Sequence, residues 1–143
     1  MSNTGRCLCK AVSFTLATPP TNYSACHCGM CRRMSGGVQF GVQTQPGEIT
    51  WQGEESLKTY PSSQWAERGF CGTCGSSLFW RMTAPGPMNG MTVIAGGALD
   101  SLDGMTFDSE IYIDSKPESH AFAGDRKRMT EAELMALMGG GAG

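Results

Sequence analysis

Within the six residues Cys26-His27-Cys28-Gly29-Met30-Cys31 the chain places three thiols, and Arg32 and Arg33 follow at once. Cys7 and Cys9 lie upstream, Cys71 and Cys74 downstream. Seven cysteines divide most simply into four and three. A closed structural zinc site takes four protein ligands in a tetrahedron, whereas a reactive one keeps three and leaves a position open. The arithmetic points to one Zn²⁺ that builds the fold and a second that does chemistry, two per chain. Disulfides fit less well. The count is odd, three thiols crowd one segment, and Met1-Ser2-Asn3-Thr4-Gly5 begins no apolar signal core.

Cys7 and Cys9 with Cys71 and Cys74 make two close pairs, the pattern of a structural Cys₄ site. Such a metal would tie the start of the chain to its middle. Structural zinc contributes roughly 10–16 kcal/mol in small peptides, comparable to the whole stability of a domain. The rival assignment closes a site on Cys26, Cys28, Cys31 and one further residue. His27 is a poor fourth ligand, because neighbouring side chains on an extended segment diverge. It reads as a supporting or surface residue, and His120 as a plain loop histidine.

Zinc on the thiolates of Cys26, Cys28 and Cys31 carries a net charge of −1 and is a weak Lewis acid. Its open position suits soft sulfur better than water. A thiol bound there would lose its proton more readily. The extra negative charge needs an offset, and Arg32 and Arg33 could supply it or grip substrate carboxylates. Two merely exposed arginines are an equal alternative. Other chemistries lack their signatures: there is no H-x-E with P-C-x-x-C, no H-E-x-x-H, no P-loop and no nucleophile elbow.

The rest of the chain must position these thiols. At 143 residues it reads as a single domain with a core of about 5–122. Only 17% of residues are charged against 40% hydrophobic, which excludes a disordered chain. A net charge of −2 argues against nucleic acid as partner, and no apolar run is long enough for a membrane. The cysteine usage suits a cytoplasmic location; a homodimer is left open. Arg6 to Leu16 alternates and reads as one strand bearing Cys7 and Cys9 on one face. Cys28-Gly29-Met30-Cys31 reads as a tight turn, with one helical turn from Arg32 stopped by Gly36-Gly37. Strands follow near Val38–Gln43, Glu48–Trp51, Leu57–Tyr60, Gln64–Phe70, Ser77–Met82, Met91–Ala95 and Phe107–Ile113. The Gln64–Phe70 and Ser77–Met82 pair would form a hairpin tipped by Cys71 and Cys74. Arg126-Lys127-Arg128 reads as a solvated charge run. Thr130 and Glu133 form a capping box for a C-terminal helix over about 130–138, followed by a mobile glycine-rich tail.

Gly5-Arg6-Cys7-Leu8-Cys9-Lys10-Ala11-Val12, Cys26-His27-Cys28-Gly29-Met30-Cys31-Arg32-Arg33 and Phe70-Cys71-Gly72-Thr73-Cys74-Gly75 together resemble the glutathione-dependent formaldehyde-activating enzyme (GFA) family. That family also includes the centromere protein V type. Gly97-Ala98-Leu99-Asp100 is similar to its later Gly-x-Leu-Asp element, so the likeness runs from about Gly5 to Ile113. The resemblance implies a mainly β, Mss4-like zinc-binding fold of stacked antiparallel sheets. It implies a structural zinc on Cys7, Cys9, Cys71 and Cys74 and a substrate-site zinc on Cys26, Cys28 and Cys31. The implied activity is that of S-(hydroxymethyl)glutathione synthase, a carbon–sulfur lyase joining a thiol such as glutathione to formaldehyde or another small aldehyde. The alternative is a zinc-stabilised binding module of the same fold without turnover. Lys10 departs from the family, in which glycine usually follows the second cysteine, and should alter the bend there.

Overall fold

The computed structural model of the protein describes residues 1–138. The glycine-rich tail expected after the last helix lies outside them. A small sheet consists of β1 (Thr4–Arg6), β2 (Ser13–Leu16) and β5 (Ile49–Gln52), in the order β1-β2-β5 and antiparallel throughout. The large sheet contains β3 (Asn22–Cys26), β4 (Gln39–Thr44), β6 (Leu57–Tyr60), β7 (Ala66–Cys71), β8 (Ser77–Met82), β9 (Thr92–Ala95), β10 (Thr106–Ile111) and β11 (Lys127–Met129). Its order is β11-β10-β3-β4-β9-β8-β7-β6. The mainly β architecture of two sheets is the expected one. Antiparallel pairing holds except that β10 runs parallel to both β3 and β11, which the alternation of single strands could not reveal.

The stretch from Arg6 to Leu16 is not one strand. β1 and β2 are two arms of a hairpin, and Cys7 and Cys9 occupy the turn between them. Cys7 N–H reaches Val12 C=O at 2.9 Å and Lys10 N–H reaches Cys7 C=O at 3.3 Å. Lys10 has a φ of +72°. An alternating pattern cannot show a turn whose purpose is to gather sulfurs.

The core lies where the two sheets meet. Phe14 of β2 packs on Trp51 of β5 at 5.2 Å between ring centroids, and Trp51 on Phe79 of β8 at 5.4 Å. Val12, Leu16, Val42, Leu78 and Ile94 complete it, all buried. Gly5 makes the close approach possible: a Cβ there would lie 2.3 Å from the Phe14 ring and 2.4 Å from the Ala98 carbonyl.

Among the described residues there are two α-helices, not one. α1 (Gly29–Ser35) begins at the cysteine cluster, so the expected tight turn and following single helical turn are one element, closed by Gly36 at φ +82°. α2 (Glu131–Leu137) has the expected capping box, with Thr130 accepting from Glu133 N–H and Glu133 accepting from Thr130 N–H. Leu134 and Met138 are half-buried, but Leu137 is exposed.

Beyond β10 the chain folds back over a second aromatic group. Tyr23 stacks on Phe107 at 5.0 Å, and Phe122 packs against Phe107 and Phe40 at 5.2 and 5.6 Å. Here the Arg126-Lys127-Arg128 run is not merely solvated. Glu110 of β10, only 1% exposed, accepts from Arg126 Nη1 at 2.7 Å and Arg128 Nε at 3.0 Å. Its other oxygen accepts from His27 Nε2 at 2.7 Å. Arg126 also lies over the Phe107 ring at 4.0 Å. A buried carboxylate demands such partners, and sequence distance hid them.

Burial pushes the Glu110 carboxyl up, but the hydrogen bonds from His27, Arg126 and Arg128 outweigh it and hold it below the usual carboxylate range. Its folded-state pKa is therefore depressed. The associated stability is present above the unfolded value of about 4.3 and is lost as pH falls through the folded one. Glu110→Gln should cost about 3 kcal/mol at pH 7, because it leaves Arg126 buried without its charge partner. Urea unfolding between pH 7 and pH 2 checks both points: the variant should be less stable at pH 7 and lose less than wild type on acidification.

Candidate functional site

The two turns that carry the cysteine pairs Cys7/Cys9 and Cys71/Cys74 face each other across the two sheets. All four Sγ atoms lie within 4.8 Å of one another. Cys7 Sγ is 3.6 Å from Cys9 Sγ, which is 3.8 Å from Cys71 Sγ. A tetrahedron with Zn–S bonds of ~2.3 Å has edges of about 3.8 Å, so these donors fit zinc. Backbone N–H groups point at the sulfurs: Val12 at Cys7, and Thr73 and Cys74 at Cys71, between 3.3 and 3.5 Å. They favour the thiolate form that a metal requires. The Cys71 thiol is accordingly held down, first by Cys74 N–H, and the Cys74 thiol is lowered to about 5, first by the Ser76 hydroxyl.

Cys26, Cys28 and Cys31 form a second group, again with every Sγ within 4.8 Å of the others. Cys26 ends β3, Cys28 is the N-cap of α1, and Cys31 sits in its first turn. The Cys28 sulfur accepts from Cys31 N–H at 3.3 Å, taking the place of the usual capping oxygen. Alternation along the end of β3 sends Ala25 and His27 into the buried side and leaves Cys26 and Cys28 half-buried on the other. The Cys28 thiol is held far down, first by hydrogen bonds from the Cys26 and Cys31 thiols and then by backbone N–H groups, against burial. The Cys26 thiol is pushed up because it donates to those sulfurs. Three soft donors are thus gathered with no fourth among the described residues, and the set suits a metal with one open position.

Neither arginine that follows the trio in sequence hydrogen-bonds one of its sulfurs. Arg32 and Arg33 are exposed on α1, and Arg33 Nη1 bonds Gly29 C=O at 3.4 Å. The cation on the sulfurs is Arg68 of β7, only 4% exposed, with Nη1 and Nη2 each 3.6 Å from Cys31 Sγ. Nη1 also lies 3.4 Å from Gln39 Oε1. Arg68 sits on the inward face of β7 with Ala66, and an arginine is rarely buried without a partner. That parity was the signal available, but nothing in the sequence named Cys31 as the partner.

His27 stands outside the sulfur group. Its Nε2 meets Glu110, so it supports the segment between Cys26 and Cys28 from behind. His120 is exposed, as expected. Tyr112 is a second residue that sequence reasoning passed over. It follows Ile111, which pairs with Cys26, and its φ of +56° breaks the alternation that would place it on the Glu110 face. Its hydroxyl is pushed up to about 12, chiefly by burial, then by Glu131 and by the thiols of Cys28, Cys26 and Cys31. Tyr112 therefore keeps its hydroxyl proton at neutral pH, within electrostatic range of the trio.

The family model described as glutathione-dependent formaldehyde-activating enzyme matches residues 2–115. The chain belongs to this family. An uncharacterized lyase of Schizosaccharomyces pombe is 31% identical over 135 residues, covering 92% of this chain and 93% of that protein. A Halomonas elongata protein, whose name gives it provisionally the family's activity, is 30% identical over 83 residues, about half of each chain at 52% and 53%. A crystal structure of a Rhodobacter sphaeroides protein shares the fold, with a TM-score of 0.55 at 21% identity over 73% of this chain and 98% of that one. No helix among the described residues is long and apolar enough to cross a membrane.

Against the glutathione-dependent formaldehyde-activating pattern, Lys10 now has a physical consequence. Its positive φ is the conformation in which glycine is free of strain and a side chain costs ~1–2 kcal/mol. Lys10→Gly should raise stability by about 0.5–1 kcal/mol, the relief of that strain less the added freedom of the unfolded chain. Denaturant titration of the metal-loaded protein checks it, with metal content unchanged.

Proposed function

We propose that the protein joins a thiol, glutathione or one like it, to formaldehyde or another small aldehyde at Cys26, Cys28 and Cys31, as a carbon–sulfur lyase of the S-(hydroxymethyl)glutathione synthase type. The observation that carries this reading is a three-sulfur group with a buried arginine on it and no fourth protein donor among the described residues. Family membership supports the choice of glutathione and formaldehyde. Zinc held by the trio would supply an open position for soft sulfur and a lower pKa for the thiol bound there. The quartet Cys7, Cys9, Cys71 and Cys74 would hold the structural zinc.

The chain's own residues then have separate tasks. The trio orients the thiol sulfur, whose proton goes to solvent. Arg32 and Arg33, exposed on the helix that bears Cys31, bind the substrate's carboxylates. As the sulfur–carbon bond forms, the π electrons of the carbonyl move onto oxygen. Tyr112 donates its hydroxyl proton to that oxygen and is reprotonated from solvent. Positioning of the two reactants accounts for most of the rate.

Exchange NMR of hemithioacetal formation from glutathione and formaldehyde tests the reading. The zinc-loaded protein should speed exchange, and Tyr112→Phe should slow the catalysed rate about 100-fold while keeping both zinc ions. Exchange no faster with the protein than without it would contradict the assignment and favour the non-catalytic binding module.

A further inference from the structure

We propose that Arg68 is a positioning residue whose buried charge makes the Cys26–Cys28–Cys31 site selective for an anionic fourth ligand, a thiolate, over a neutral one. The inference rests on the reading of the trio as an open metal site.

Arg68 is 4% exposed and meets the trio through both terminal nitrogens, each 3.6 Å from Cys31 Sγ. Its third nitrogen, Nε, is buried without a hydrogen-bond partner among the described residues. Gln39, itself buried, holds Nη1 from the other side at 3.4 Å but is neutral. Among the described residues no carboxylate forms an ion pair with Arg68; the ion pairs there join Glu110, Glu67 and Asp125 to His27, Arg81, Arg126 and Arg128. A buried arginine facing only sulfur and an amide has no structural counter-charge except the trio.

The charge count gives this placement a use. Zn²⁺ with three thiolates is −1, and an incoming thiolate makes it −2. In a partly buried site a second uncompensated charge is costly. With Arg68 the same two states become 0 and −1. The arginine therefore favours the state with the extra anion, while a neutral ligand leaves the count unchanged and gains nothing from it. Two prongs on one sulfur fix the charge beside the site in a way that the exposed Arg32 and Arg33 do not.

The test uses the protein loaded with Co²⁺, whose absorption reports the coordination of each site. Wild type, Arg68→Lys and Arg68→Gln are titrated with glutathione, with 2-mercaptoethanol and with imidazole as the neutral ligand. Neutralising one charge at this distance should weaken binding of both thiols in Arg68→Gln roughly tenfold to a hundredfold. Imidazole affinity should stay within about twofold, and Arg68→Lys should fall between wild type and Arg68→Gln for the thiols. If Arg68→Gln does not fold, Arg68→Lys carries the same comparison, with thiol binding weakened severalfold relative to imidazole. Thiol and imidazole affinities that fall together, or neither changing, overturn the role of Arg68. A wild-type spectrum that responds to imidazole but to no thiol overturns the underlying reading of the site instead.

Discussion

The structure depends on a convergence of four sulfurs from two turns that are 62 residues apart between Cys9 and Cys71. One turn belongs to the small sheet and the other to the large one, so whatever the sulfurs share fastens sheet to sheet. The aromatic contact of Phe14, Trp51 and Phe79 lies in the same interface, and Cys7 and Cys71 are themselves fully buried members of that core. Hydrophobic packing alone is non-directional and tolerates many arrangements. A metal held by the four would set distances and angles, and with them the register of one hairpin on the other. The strained Lys10 backbone is a local cost of bringing Cys9 round to that point.

The second group of sulfurs is supported differently. Its sulfurs lie on one short segment, where the end of β3 passes into α1, so they hold few distant elements together. Distant elements hold it instead. Glu110 grips His27 from β10 and is itself held by Arg126 and Arg128, while Arg68 reaches Cys31 from β7. One buried cluster stands behind the segment and one cation stands against its sulfur. Such surroundings would hold an open three-donor metal site in shape and offset its charge.

Local chemistry was legible in the sequence wherever spacing within a few residues carried the information. The Cys71–Cys74 hairpin tip, the strands β4, β8 and β9 to within a residue of their expected bounds, and the Thr130–Glu133 capping box all appear as read. The division of seven thiols into four and three was legible too, because it is arithmetic. Hidden were the relations that cross the sheet. An alternating run cannot disclose the turn at Cys7–Val12, and Arg126 and Arg128 looked like surface charge because Glu110 stands sixteen and eighteen residues away. Proximity in sequence drew attention to Arg32 and Arg33, whereas the cation in contact with Cys31 arrives from a strand 37 residues later. In the same way Cys28 read as the start of a tight turn, since a thiol is not among the usual helix caps.

The central claim is that the two cysteine groups do different work, and zinc counting on folded protein tests it most directly. Native mass spectrometry and circular dichroism of wild type, Cys28→Ser and Cys71→Ser should give two zinc ions for wild type. Cys28→Ser should remain folded with one ion, and Cys71→Ser should lose the fold together with its metal. One zinc in wild type, or equal damage from the two substitutions, would contradict the account.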